Sequence, residues 1–380
     1  MSKSHGTLAN LALFCTSLAV FLLLCELVVF RYVFLPAEVP RNAFIDGLIR
    51  YTPNQTGVYR VRNDIAAPFS INAQGWNSGT GDYRLERPDT QRRIAVIGDS
   101  YVEALQVPHD RSLAERLQGH LTQPGSAVEV YRFAISGAPL SHYLYMLEHE
   151  AAQYAPDVVV IVLVHNDFDE SFRFKAGRYT SSFMKLALTD GQVTAEIPPV
   201  PYKESWRDRL RQLATVRYFY YRWQMSPTVL RGLVLGSARA EAPRFEANIH
   251  VDEVLSRLPD IGAATDYLFG RLAALGRDRG FQLLLVMDAN RAPIYAGTAK
   301  TRPEGASALN VLALEMAARH GLGFLDLTEA FTGAWQANGT RFEFASDGHW
   351  NEHGHEVVAD AIAQVLRRNR RQQGVPAGDG

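Results

Sequence analysis

The chain has 380 residues, a formal net charge of −1, 47% hydrophobic residues and two cysteines. That length fits one elaborated domain or two small ones, and the composition excludes long disorder, collagen-like sequence and repeat arrays. Lys and Arg are balanced by Asp and Glu, so no surplus of positive charge exists to neutralise phosphates, which excludes nucleic acid as a partner.

The first predicted element is an apolar helix. Residues 11–30, LALFCTSLAVFLLLCELVVF, have Glu26 as their one ionisable side chain and as a helix cover about 30 Å, the hydrocarbon thickness of a bilayer. Cys15 and Cys25 both lie in this run, about 15 Å apart along a helix and too distant to bridge. The remainder of the chain therefore has neither a disulfide nor a Cys-ligated metal. A cleaved secretory signal has related chemistry, but this run is long for one and no small-x-small site follows in RYVFLPAEVP. The expectation is an uncleaved single-pass anchor over residues 1–36, contacting the membrane through 11–30. Lys3 on the short side faces Arg31, Arg41 and Arg50 on the long side, a weak count that alone would keep the large region in the cytoplasm.

Residues 37–91 read as a linker and lead-in segment. From Arg92 onward short β-rich runs alternate with helical patterns. The predicted strands are Ile94–Gly98, Val128–Ile135, Val158–Val164, Phe281–Met287 and Gly323–Leu327. Unbroken Val, Ile and Leu suit strands covered on both faces, as in a parallel sheet. Helical patterns fill the gaps at Ser112–Leu121, Leu140–Tyr154, Ala263–Arg279, Ala306–His320 and Glu352–Arg370. The fold class is α/β, a three-layer α/β/α domain with a parallel sheet over residues 92–370, preceded by one N-terminal transmembrane helix.

An insertion at about 171–259 interrupts this rhythm. Within it, KESWRDRLRQLATVRYFYYRWQ reads as an amphipathic helix. Over 203–231 seven basic residues stand against Glu204 and Asp208, with five aromatics between Tyr218 and Trp223. It is either a packed cap helix with a solvated basic face or a lid on an anionic membrane or glycan. Residues 371–380 are expected to be disordered.

The chemistry concentrates at strand ends. Gly98-Asp99-Ser100 follows the first strand of the domain, which puts Ser100 where open α/β sheets place active sites. SGAP follows the second strand, HND the third, and DGHWN precedes the last helix. Each alone is a turn or a cap. Together, in this order, they resemble the SGNH (GDSL) hydrolase family, whose four blocks carry a Ser, a Gly, an Asn and a His with its Asp. INAQGWNSG (Ile71–Gly79) is also similar to the lead-in of membrane-anchored bacterial members.

The resemblance implies an SGNH/flavodoxin-like sheet and a serine nucleophile. Ser100 is the expected nucleophile, His349 its general base and Asp347 the orienter of the imidazole. The backbone N–H groups of Ser100 and Gly137 and the side-chain amide of Asn166 are the expected oxyanion donors. Two positions depart from the family pattern: the spacing is Asp347-Gly348-His349 instead of Asp-x-x-His, and Val164 stands where block III usually has glycine. Similar Asp-x-His arrangements occur in SGNH-like proteins of bacterial polysaccharide acetylation. The acidic cluster Asp167, Asp169 and Glu170 lacks calcium-loop spacing and is expected on a solvated rim.

A rival pattern overlaps the last block. HWNEH (His349–His353) fits the H-x-x-E-H arrangement of one zinc-peptidase class, with His355 nearby. Asn351 is a good N-cap before Glu352, which leaves His349 outside the helix and favours the serine reading. The expectation is a membrane-anchored serine esterase or O-acyltransferase, with no cofactor and no metal. Its substrate would be a small ester or an acylated glycan. The alternatives are a lipid esterase or lysophospholipase with an aromatic lid, a zinc-dependent hydrolase using HWNEH, and a non-catalytic glycan-binding pseudoenzyme. The resemblance implies that anchored members often work outside the cytoplasmic membrane, so the large domain is expected in the periplasm, against the weak charge count.

Overall fold

In the computed structural model, residues 2–88, 91–125, 127–174, 177–234, 249–299 and 305–372 are described. They fall into two compact units. Unit 1 comprises Met1–Val39, Val58–Ala66 and Lys203–Ala242; unit 2 comprises Pro40–Gly57, Ala67–Tyr202 and Pro243–Gly380.

Unit 1 begins with the apolar helix Ser2–Leu24, which widens into π-helical turns over Cys25–Val33. Gly6–Val33 contains an 18-residue window with a mean hydropathy of 2.5 and is long and apolar enough to cross a membrane. Its leucines, Phe14 and Phe21 are exposed, while Phe30 is half-buried. The predicted helix over 203–231 is instead broken into short pieces, Trp206–Leu210, Ala214–Val216 continuing as π-helical turns through Arg217–Arg222, and Pro227–Val234. The breaks have local causes. Leu213 is extended (ψ 135°), Gln224 is left-handed (φ 54°), and Ser226 precedes a proline. Ser205 and Asp208 form a reciprocal capping box that fixes the first piece.

The segment 37–91, expected as a linker and lead-in, carries ordered structure. Strands β1 (Asn42–Ile45) and β2 (Leu48–Tyr51) pair antiparallel across Asp46-Gly47, both at positive φ. β3 (Thr56–Val61) and β4 (Ile65–Ser70) form a second hairpin, and Trp76 beyond it is completely buried.

The centre of unit 2 is a parallel sheet of five strands. β5 (Arg92–Gly98), β6 (Val128–Ala134) and β7 (Val158–Leu163) come first in the chain. A hairpin of β8 (Lys185–Thr189) and β9 (Gln192–Ile197) follows, and β10 (Gln282–Met287) and β11 (Gly323–Asp326) complete the sheet. The sheet order is β11-β10-β7-β5-β6, with Ile94 opposite Val130 on one side and Val158 on the other. Alternate residues serve opposite faces. Ile94, Val96, Val158, Val160 and Val162 pack with the helices Leu113–Leu121, Thr328–Asn338 and Glu352–Gln372. The opposite layer holds the helices Leu140–His149, Leu258–Arg279 and Ser307–Arg319, with Leu144, Leu268 and Leu309 buried. Every predicted strand and its parallel sense agree with this sheet, to within two residues at the ends.

The chain steps from β5 to β6 on one side and then to β7 on the other. That reversal puts a crevice at the carboxyl end of β5, between the loops that follow β6 and β7. The last helix extends to Gln372, so residues 371 and 372 are helical, and 373–380 lie outside the described residues.

Candidate active site

The turn after β5 is built for a close approach of strand and helix. A Cβ on Gly98 would lie 2.4 Å from Val102 Cγ2, so only glycine fits. Asp99 caps the short helix Ser100–Glu103, its Oδ1 accepting the Tyr101 N–H at 2.9 Å, and Ala104 ends the turn at φ 56°. Ser100 thus stands at the mouth of the crevice.

His349 reaches Ser100 from the loop ahead of the last helix. Its Nε2 is 2.7 Å from Ser100 Oγ, and its Nδ1 bonds to Asp347 Oδ1. The same carboxylate oxygen accepts the backbone N–H of His349 at 2.9 Å. This pairing assigns the ring proton to Nδ1 and leaves Nε2 to accept from the serine. Burial disfavours the imidazolium, but the charge and hydrogen bond of Asp347 outweigh it and raise the His349 pKa above the ordinary value. For Asp347, burial pushes the carboxyl up, and the His349 charge and hydrogen bonds more than reverse it.

Gly137 and Asn166 flank this pair on the loops after β6 and β7. Gly137 sits at φ 77° in open space, a conformation that favours glycine and leaves its amide uncovered by a side chain. Asn166 is nearly buried and its Nδ2 donates to Glu170 Oε2 at 3.4 Å. The structure brings Ser100, His349 and Asp347 into one hydrogen-bonded chain. Gly137 and Asn166 lie on the loops that follow the two strands beside β5, and among the described residues neither has a direct hydrogen bond to Ser100.

Several residues absent from the sequence reading support this chain. Tyr101 lies against the His349 ring, tilted at 44° with centroids 4.9 Å apart, donates to the Gly348 carbonyl at 3.2 Å and accepts from the buried Arg291 at 2.9 Å. Glu103, also buried, accepts the Ser136 N–H at 3.0 Å and the hydroxyls of Ser136 and Tyr51. It thereby ties the turn before Gly137 to strand β2. The lead-in adds a further tie, since Asn77 Nδ2 donates to the Glu103 carbonyl at 2.8 Å. Tyr51 lies in no recognisable block, and Glu103, although it falls in the GDSYVEALQV stretch after the first strand, carries no pattern that marks it as a partner of Ser136.

The acidic cluster differs from its expected place. Asp167 and Asp169 are buried, not on a solvated rim. Asp167 Oδ2 accepts the Val164 N–H at 2.8 Å, and Asp169 pairs with Arg173 and Arg257. Burial raises the pKa of Asp167 well above its ordinary value and that of Asp99 to about 6, the latter opposed by the Tyr101 N–H and the His349 charge.

The HWNEH histidines have separate partners. His349 uses both ring nitrogens as above, His353 stacks on Phe342 (5.3 Å), and buried His355 accepts the Leu113 N–H through Nδ1 at 3.2 Å. Asn351 caps the helix, its Oδ1 accepting from Gly354 N–H at 3.0 Å. Among the described residues no group of three or more His, Cys, Asp or Glu side chains is arranged to hold a metal ion.

A Ser–His–Asp hydrogen-bonded chain thus stands at the carboxyl end of the parallel strands of a three-layer α/β fold. The chain belongs to the GDSL-like lipase/acylhydrolase family, whose profile matches residues 96–357. It is similar to the solved structures of TesA (16% identity, 73% of this chain and 99% of that one, TM-score 0.40) and of the lipase/acylhydrolase from Enterococcus faecalis (16%, 73% and 96%, 0.39). It is also similar to a catalytic mutant of Axe2, an acetylxylan esterase from Geobacillus stearothermophilus (14%, 72% and 93%, 0.37). No curated protein sequence matches the chain.

Proposed function

We propose that this protein is a membrane-anchored serine esterase or O-acyltransferase acting through an acyl-Ser100 on acylated glycans or similar esters. The observation that carries this reading is the 2.7 Å contact between His349 Nε2 and Ser100 Oγ, backed by Asp347. Ser100 Oγ attacks the ester carbonyl while its proton passes to Nε2. The carbonyl oxygen becomes an oxyanion, which in this reading accepts from the N–H groups of Ser100 and Gly137 and the Asn166 amide. Collapse breaks the ester C–O bond, and the departing alkoxide takes the proton from the imidazolium. Water or a sugar hydroxyl then gives its proton to His349, attacks the acyl-serine and releases Ser100. Water makes the reaction hydrolysis; a sugar hydroxyl makes it transfer.

Gly6–Val33 supports anchoring by its length and hydropathy. In this reading residues 1–36 hold the protein in the cytoplasmic membrane, with the catalytic region 92–370 on the periplasmic side. Labelling with a fluorophosphonate tests the nucleophile, and an acceptor screen with and without acetylated polysaccharide separates hydrolysis from transfer. Ser100→Ala should abolish labelling; a labelled alanine variant overturns the assignment. Protease added to intact spheroplasts should remove the catalytic region, and its protection overturns the periplasmic placement.

A further inference from the structure

Unit 1 fastens a charged group to a distant stretch of chain. Glu26 lies inside the apolar span, and its carboxylate accepts from the Ala214 N–H (2.7 Å), the Thr215 N–H (3.0 Å) and the Thr215 hydroxyl (3.0 Å). Amides at the start of a helical turn lack intrahelical acceptors, and a carboxylate in an apolar span needs a partner, so each answers the other. The contact continues through Phe30, whose ring meets Tyr218 at 5.1 Å and Phe219 at 5.5 Å. Phe34 meets Tyr218 at 5.8 Å. Residues 214–222 are thus bound along the last turns of the span.

The side chains this segment leaves outward are apolar and basic together. Trp206 is 66% exposed, and Leu210, Leu213, Phe219 and Tyr220 are each exposed by 39–45%. Arg207 and Arg209 are exposed among them. Across 203–231 seven Lys and Arg face two acidic residues, and one of those, Asp208, is buried against Arg211. Exposed Trp, Phe and Leu interleaved with arginines are suited to the headgroup boundary of a bilayer, where rings enter the acyl edge and guanidinium groups meet phosphates.

We propose that residues 203–231 form a collar lying on an anionic phospholipid surface, held at that level by Glu26. The proposal rests on the reading of Gly6–Val33 as a membrane anchor. Continuity with that span and charge complementarity favour lipid as the occupant.

The test uses the full chain reconstituted in phosphatidylcholine vesicles, with and without phosphatidylglycerol, containing brominated phosphatidylcholine as a quencher of tryptophan. Quenching should be strong, should increase with phosphatidylglycerol, and should fall severalfold in the Trp206→Phe/Trp223→Phe double variant. Glu26→Leu keeps the span apolar and should reduce Trp206 quenching while the protein stays in the vesicles through an alkaline wash. Retention through the wash with quenching unaffected by the double variant overturns the collar and leaves the anchor standing. Retention with undiminished quenching in Glu26→Leu overturns the part assigned to Glu26. Release of the native protein by the wash overturns the anchor and the collar with it.

Discussion

Trp350 donates its indole N–H to the buried carboxylate of Asp288 at 3.0 Å, which ties the residue after His349 to the chain just beyond β10. Tyr101 holds the neighbouring Gly348 carbonyl, and Arg291 links the two supports through its contacts with Asp288 and the Tyr101 hydroxyl. The loop carrying Asp347 and His349 is therefore held at two points. Tyr101→Phe removes one of them. Steady-state kinetics should show kcat reduced about tenfold with KM little changed, because the imidazole loses its alignment and the substrate contacts remain. Loss of KM alone would assign Tyr101 to substrate binding instead.

Ser100→Ala and His349→Ala should each lower kcat by roughly a thousandfold or more, and the double variant should be scarcely worse than either. The two side chains act as one unit, so the second loss has little left to remove. Ser100→Ala should change stability by less than about 1 kcal/mol in denaturant titrations, since it deletes a hydroxyl at the edge of the crevice.

The pH profile reads His349 directly. As a general base it works neutral, so kcat/KM should fall on acidification through a pKa above the ordinary 6.5. Asp347→Asn removes the charge that raises it and leaves burial as the largest influence. The acid limb should then move to lower pH while activity drops, with residual turnover from the oxyanion donors. A limb unmoved in the Asn variant would mean that another group sets it.

Acid stability follows from two histidines outside the site. His142 and His355 are fully buried, each accepting a backbone N–H through Nδ1, and burial lowers the pKa of both to about 3. The unfolded chain binds their protons near pH 6.5 and the folded chain does not. Stability is present above the unfolded pKa and falls as pH decreases toward the folded value, by about 2 kcal/mol per residue between about pH 6.5 and pH 5. His355→Asn keeps an acceptor for Leu113 and removes one titration. Its melting temperature should decline less than that of the native protein over this interval, and an equal decline would place the acid sensitivity elsewhere.

The sheet was legible because its strands are unbroken Val, Ile and Leu runs that need cover on both faces, and Val158–Leu163 meets that pattern without exception. Ser100 was legible from its place at a strand end, whereas Asp347 and His349 entered through the resemblance of DGHWN to the last family block, with Asn351 as N-cap setting His349 outside the helix. The hairpins were not read, although Asp46-Gly47 and Asp190-Gly191, each with both residues at positive φ, carry the two-residue turn signal. Their flanking strands, four to six residues each, are too short to stand out. The continuous helix expected over 203–231 is broken locally at Leu213, Gln224 and Ser226-Pro227, and the break at Ala214–Thr215 has in addition an acceptor no local pattern shows, Glu26, 188 and 189 residues earlier in the chain. The buried support from Tyr101, Glu103 and Arg291 was likewise invisible, because a lone polar residue becomes a positioning group only through partners that the fold supplies.

The two units alternate along the chain, so no single cut separates them. Trimming the N-terminus back to residue 40 removes the apolar span but leaves Lys203–Ala242 in place. Tyr218 and Phe219 then lose the rings of Phe30 and Phe34, and the amides of Ala214 and Thr215 lose their carboxylate. Such a shortened protein would carry a bare aromatic face with unanswered donors and would self-associate through it. A well-behaved soluble form of the hydrolase needs an internal deletion across this stretch as well as a terminal one.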